Sequence, residues 1–210
     1  MNYLFLLIFL GLAWFFGYKL RLFKRLSQSK IALLIPLYMY PNDKTKHYYQ
    51  DVMNASAHLD ITAIINPNNG DFDTLSCEWI GTVNDLKKHK VTILGYVYTN
   101  YTKRSLREVE KNISSYESLL DIEGIFFDEV TYQGKDLKYY QSLRDFLTRD
   151  SKTPYSILNP GMATDAAYIL GKNAPATQIV IFENSYDKLK YYTPKPNGTN
   201  LSTKTPRTRD

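Results

Sequence analysis

The chain has 210 residues, 44% of them hydrophobic, which is enough for one large domain or a short two-domain protein. Its net charge of +5 comes largely from the segment 19–30 and the last few residues, so it forms no basic stripe and gives no case for a nucleic-acid partner. A single cysteine, Cys77, excludes an internal disulfide framework, whereas 18 tyrosines are enough to pack a core by one end or to line a groove for sugars or bases.

The first element is an unbroken apolar and aromatic run from Tyr3 to Tyr18. Leu20, Leu22 and Phe23 extend it toward the roughly 20 residues that cross a bilayer. No Lys or Arg precedes the run, and no small-x-small cleavage site follows it. Trp14, Phe15, Phe16 and Tyr18 suit a membrane interface. The reading is an uncleaved single-span anchor, with a cleaved signal as the alternative. Lys19, Arg21, Lys24 and Arg25 follow the span and favour a cytoplasmic flank, whereas a secreted-type domain needs the opposite orientation. The expected location is membrane-anchored with the domain extracytoplasmic, or secreted, with the orientation open.

A βα rhythm starts at Ile31. Strands are predicted at 31–38, 61–65, 91–97, 124–127, 155–158 and 179–182. Helices are predicted at 48–57, 75–88, 105–118 and 137–147, with a short one in 163–171. Trp79, Val83 and Leu86 recur at helical spacing, and Ser105 with Glu108 fits a capping box. Asn66-Pro67-Asn68-Asn69-Gly70 is a strong turn signal.

Strands alternating with helices predict a parallel sheet. Gly-rich phosphate loops of the GxGxxG and Walker types are absent, which argues against a nucleotide-binding fold. Polar and aromatic residues end nearly every strand, as in α/β barrels, which place their chemistry there. A closed barrel uses eight strands and about 250 residues. After Glu183 only 27 residues remain, and the last 18 are rich in Thr, Pro, Asn and Lys and read as disordered. The expected fold is α/β, a (β/α)8 TIM-barrel-like domain truncated after strand six. The expected organisation is an anchor or signal with a basic linker at 1–30, the barrel domain at 31–192 and a tail at 193–210.

The run Ile125-Phe126-Phe127 ends in Asp128 and Glu129, and the sixth strand ends in Glu183. Glycoside hydrolysis needs two carboxyl groups flanking the scissile bond. Asp128 and Glu183 suit that pair, Asp128 as nucleophile or stabilising carboxylate and Glu183 as acid/base, with Glu129 orienting the sugar. Strand alternation keeps Asp128 and Glu129 from both facing inward unless the chain turns between them. Tyr38, Tyr40, Tyr96, Tyr98 and Tyr101 lie at or near strand ends, where aromatic faces can stack on sugars or serve the core. Asn66, Asn68 and Asn159 are candidate partners for sugar hydroxyls; the bland role of such asparagines is turn formation. His47, His58 and His89 lack metal-ligand spacing, so neither a metal nor a cofactor is expected.

Five stretches in order resemble the spherulin 4 family: Pro36-Leu-Tyr-Met-Tyr-Pro41, Ile65-Asn-Pro-Asn-Asn-Gly70, Leu94-Gly-Tyr-Val-Tyr-Thr-Asn-Tyr101, Gly124-Ile-Phe-Phe-Asp-Glu129 and Phe182-Glu183. The resemblance runs from about Ile31 to Tyr186. It implies a (β/α)8 glycoside hydrolase similar to family 135, an endo-α-1,4-N-acetylgalactosaminidase acting on galactosaminogalactan of fungal walls and biofilms. It also implies that the functional acids fall on Asp128, Glu129 and Glu183. The expected partner is a polysaccharide; nothing in the sequence sets the oligomeric state. The alternative is a catalytically inactive carbohydrate-binding or structural surface protein built from an incomplete barrel.

Overall fold

The computed structural model describes residues 32–149, 151, 153–189 and 191–192. The apolar run Tyr3–Tyr18 and the tail from 193 lie outside the described residues. Among the described residues, no helix is long and apolar enough to cross a membrane.

Six parallel strands form one sheet: β1 (Ala32–Leu37), β2 (Asp60–Ile65), β3 (Thr92–Tyr98), β4 (Gly124–Asp128), β5 (Tyr155–Leu158) and β6 (Gln178–Ile179). Between them run α1 (Lys46–Ser56), α2 (Cys77–Lys88), α3 (Leu106–Leu119) and α4 (Leu137–Arg149), and α5 (Tyr186–Leu189) follows β6. The strands lie side by side in chain order. A doubly wound sheet reverses its order at a switch point, so this order is that of a barrel. Pro36 lacks an N–H and sits in an edge strand of the sheet, where that loss is tolerated.

Side-chain parity divides the core. Leu37, Ile61, Ala63, Ile65, Ile93, Val97, Ile125, Phe127 and Leu158 pack with the helices, including Trp79, Val83, Leu86, Val109 and Leu143. Leu34, Ile64, Leu94, Tyr96, Phe126, Ile157 and Val180 form a second cluster on the inner face. Both faces of β2, β3 and β4 are buried, so these strands read as continuous apolar runs rather than alternating ones. Each fully buried Leu, Ile or Phe contributes about 1.5–3 kcal/mol. The sheet curls: the charge of Glu183, beyond β6, raises the pKa of Tyr38, just after β1. In a flat sheet the two edge strands would stand about 24 Å apart.

Local sequence explains the helix starts. Ser76 caps α2 by accepting from the Trp79 N–H. The predicted box at α3 is present, with Ser105 Oγ accepting from the Glu108 N–H and the Glu108 carboxylate accepting from the Ser105 N–H at 2.8 Å. Two elements differ from expectation. The sixth strand is shorter than 179–182, because its neighbour β5 ends at Leu158 and the Asn159-Pro160-Gly161 turn takes over; Val180 N–H makes its last bond to Leu158 O, at 2.9 Å. The short helix expected in 163–171 is a single 3-10 turn, Ala166–Tyr168, pinned by the buried Tyr168, whose hydroxyl donates to Gln133 O at 2.9 Å.

Candidate active site

Asp128 ends β4 and pairs in register with Tyr98 of β3. The Tyr96 hydroxyl, two residues earlier on β3, donates to Asp128 Oδ2 at 2.8 Å. Asn159 follows β5 directly and is 6% exposed. Its Nδ2 donates to Asp128 Oδ1 and to Glu183 Oε2, each at 2.9 Å. A single nitrogen therefore limits the distance between those two oxygens to less than twice that length. The turn behind it is closed by Gly161 N–H donating to Asn159 Oδ1 at 3.0 Å and Glu183 N–H donating to Gly161 O at 3.1 Å. Gly161 has φ +66°, so the backbone conformation calls for glycine, although a Cβ there would meet Glu183 Oε2 only at an ordinary contact distance of 3.4 Å.

Glu129 has φ +53°, in the left-handed region that non-glycine residues rarely adopt. This is the turn that strand alternation requires if both acids are to serve one face: the charge of Glu129 reaches Tyr96, the same phenol that Asp128 accepts from. The β3–α3 loop holds this turn. Thr99, 0% exposed, donates its N–H to Asp128 O at 2.9 Å and its hydroxyl to Glu129 O at 2.8 Å and Asp128 O at 3.2 Å. Tyr101 N–H donates to Glu129 O at 2.8 Å. Asn100, Tyr101 and Thr102 are themselves left-handed, with φ of 47°, 53° and 70°. Behind Thr99, the Tyr140 hydroxyl accepts from Thr131 N–H at 2.8 Å and lies 3.4 Å from Thr99 Oγ1.

Two phenols meet the acids. Burial, then the charge of Asp128, pushes the Tyr96 hydroxyl well above the usual phenol range. Burial, then the charges of Asp128 and Glu183, does the same to Tyr38. Both stay protonated and serve as hydrogen-bond donors. Their rings meet edge to face at 5.4 Å.

The structure thus brings Tyr38, Tyr96, Asp128, Glu129, Asn159 and Glu183 together. It places the other candidates around them. Tyr98 carries the Arg104 guanidinium over its ring at 4.2 Å, and Arg104 also donates to Tyr98 O at 2.8 Å and Asn112 Oδ1 at 2.6 Å. Asn66 bonds Asn69 through both ends of its amide, at 2.8 and 3.1 Å, and Asn68 Nδ2 donates to Asp71 O; both serve their loop. Tyr40 donates toward Ser76 Oγ at 2.8 Å and Glu78 Oε2 at 3.1 Å, and borders a separate groove of about 410 Å³ with Asn68, Phe72 and Trp79. Sequence reasoning gave no role to Thr99, Arg104 and Tyr140: Thr99 sits within the stretch Leu94–Tyr101 and the other two outside any quoted stretch, and all three gain their roles only through loop contacts. Among the described residues, no group of His, Cys, Asp and Glu is placed to hold a metal ion.

A half-buried carboxylate with two donors, a second carboxyl group on a shared amide and two neutral phenols suit acid/base chemistry on a hydroxyl-rich substrate. A family model described as spherulation-specific family 4 matches residues 32–208. Spherulin-4 from Physarum polycephalum is 34% identical over 167 residues, covering 78% of this chain and 48% of that protein. The chain spans about half the length of this curated relative. Sph3 from Aspergillus clavatus, crystallised in complex with GalNAc, matches with a TM-score of 0.69 at 28% identity, covering 79% of this chain and 70% of that one. The fold is α/β and TIM-barrel-like, with six of its strands among the described residues.

Proposed function

The chain belongs to spherulation-specific family 4, and from that premise we propose that it is a glycoside hydrolase cleaving α-1,4-linked N-acetylgalactosamine or galactosamine polysaccharide. One observation carries the reading: the Asn159 amide brings Asp128 and Glu183 onto a single nitrogen at the mouth of the barrel. The GalNAc bound to Sph3 supports an amino-sugar substrate.

Inverting enzymes keep their carboxyl groups about 6.5–9.5 Å apart to admit a water, whereas retaining enzymes hold them about 5–5.5 Å apart. The short separation of Asp128 Oδ1 and Glu183 Oε2 favours the retaining route. Glu183 donates its proton to the leaving glycosidic oxygen as the bond to C1 breaks. Asp128, with both oxygens already accepting hydrogen bonds, attacks C1 and forms a glycosyl ester. Glu183 then removes a proton from water, which attacks C1 and releases Asp128. Glu129 orients the sugar, and the Tyr38 and Tyr96 hydroxyls lend donors at the reacting centre. The apolar segment Tyr3–Tyr18 would tether this domain to a membrane.

Proton NMR during the first minutes of hydrolysis of an α-1,4-N-acetylgalactosamine oligomer tests the route. The α-anomer is expected first. The β-anomer would remove Asp128 from the nucleophile role, and no cleavage by a folded chain would remove the hydrolase reading. A second reading, carbohydrate binding without turnover, draws on the edges that β1 and β6 leave among the described residues. It predicts GalNAc-induced shifts in the spectrum of the protein with no product.

A further inference from the structure

We infer that Asn159 is a positioning residue that sets the distance and orientation between the two acids, rather than a sugar-binding residue. The inference rests on the glycosidase reading above for its kinetic part only. An amide nitrogen has two hydrogens, and here one goes to Asp128 Oδ1 and the other to Glu183 Oε2. The amide oxygen accepts from Gly161 N–H at 3.0 Å. Both ends of the side chain are thus taken up by protein, and at 6% exposure it offers a sugar little surface. The amide is also neutral, so it sits between two acids without supplying a charge or a proton.

The arrangement crosses the sheet. Asp128 comes from β4, Asn159 from the end of β5, and Glu183 from the segment after β6, so one side chain ties three consecutive strand ends. The Glu183 backbone is tied to the same turn through its N–H on Gly161 O. Because the donor is shared, movement of either acid is transmitted to the other. Loss of the amide leaves Asp128 with Tyr96 and Glu183 with its backbone tie, and the separation that suits double displacement is no longer held.

Three measurements test this. In the full chain with 15N-labelled asparagine, the two Asn159 side-chain protons should give separate resonances protected from exchange. Asp128→Ala, which removes the acceptor, should release one and Glu183→Ala the other; two rapidly exchanging protons in the wild-type chain would overturn the bridge, whether or not the protein hydrolyses anything. In kinetics, Asn159→Ala should lower kcat by about ten- to a hundredfold with KM little changed, since hydrogen bonds to charged groups are the stronger class. A rise in KM with kcat preserved would instead make Asn159 a sugar contact.

Asn159→Asp covers the chance that alanine collapses the turn, because it keeps the acceptor for Gly161 N–H and replaces only the donor. The introduced carboxyl would face Asp128, Glu183 and Glu129 together with the Tyr38 and Tyr96 phenols. Ionised, it cannot donate; protonated, it donates one bond. Its rate should therefore be low at neutral pH and recover in part toward acid pH, on the side where the alanine variant shows no recovery. A wild-type pH profile for Asn159→Asp would reduce Asn159 to a turn residue and refute the inference.

Discussion

Thr99→Val tests how the fold holds Glu129 in its left-handed turn. The left-handed conformation costs a non-glycine residue about 1–2 kcal/mol. The Thr99 hydroxyl opposes that cost with a 2.8 Å bond to Glu129 O and a longer one, at 3.2 Å, to Asp128 O. Neither carbonyl is orphaned by its removal, because Tyr101 N–H still reaches Glu129 O and Thr99 N–H still reaches Asp128 O. The loss is therefore one net hydrogen bond, about 0.5–1.5 kcal/mol, with the upper end favoured because the buried Tyr140 hydroxyl also loses its long contact with Thr99 Oγ1. For a domain of this size that lowers Tm by about 1–6 °C. The bond is comparable to the strain it offsets, so the turn relaxes and the rate of polymer hydrolysis falls about tenfold. Thermal unfolding and reducing-end release measure the two effects. Thr99→Ser keeps the hydroxyl and restores both. Wild-type Tm and rate in Thr99→Val, or no rescue by serine, would refute the reasoning.

A glycine pair separates crowding from open space. A Cβ on Gly124 would lie 2.3 Å from Tyr155 O, a backbone atom that moves only if β4 and β5 lose register, so Gly124→Ala should cost more than about 3 kcal/mol in urea unfolding. Gly81, inside α2, has nothing within 4 Å of its Cβ position, so Gly81→Ala should stabilise by about 0.5–1 kcal/mol; equal effects at the two sites would contradict this account of the sheet. Alkali should unfold the chain through its buried phenols. Burial pushes Tyr139, Tyr155 and Tyr168 from 10.0 up to about 12, so their contribution is full below pH 10 and is lost as pH rises through about 12. Urea midpoints should fall between about pH 10 and about pH 12, and a flat profile there would contradict their burial.

The sequence made the strands legible where apolar runs were long and ended in turn residues, as at β2 and β4. It also exposed the three acids, because a carboxylate directly after Ile125-Phe126-Phe127 or Ile179-Val180-Ile181-Phe182 stands out against its run. Side-chain alternation stated a condition, a turn between Asp128 and Glu129, but no residue type announced it: left-handed turns usually fall on Gly or Asn, and here the conformation is imposed by Thr99 and Tyr101 from another loop. The bridge made by Asn159 was illegible for the same reason. Asn-Pro-Gly reads as a turn, and only the curl of the sheet carries its amide between acids 31 and 24 residues away. The end of β6 was overextended because an apolar run shows hydrophobicity and not the length of its neighbour.

The central claim is that Asp128 and Glu183 together hydrolyse an amino-sugar polymer. Reducing-end release from α-1,4-linked N-acetylgalactosamine and galactosamine polymers, by the wild-type chain, Asp128→Asn and Glu183→Gln with matched circular dichroism, tests it most directly. The wild-type chain should release reducing ends, and each variant should lose at least about a thousandfold, equivalent to roughly 4 kcal/mol of transition-state stabilisation. Equal release by either folded variant, or none by the folded wild-type chain, would contradict it.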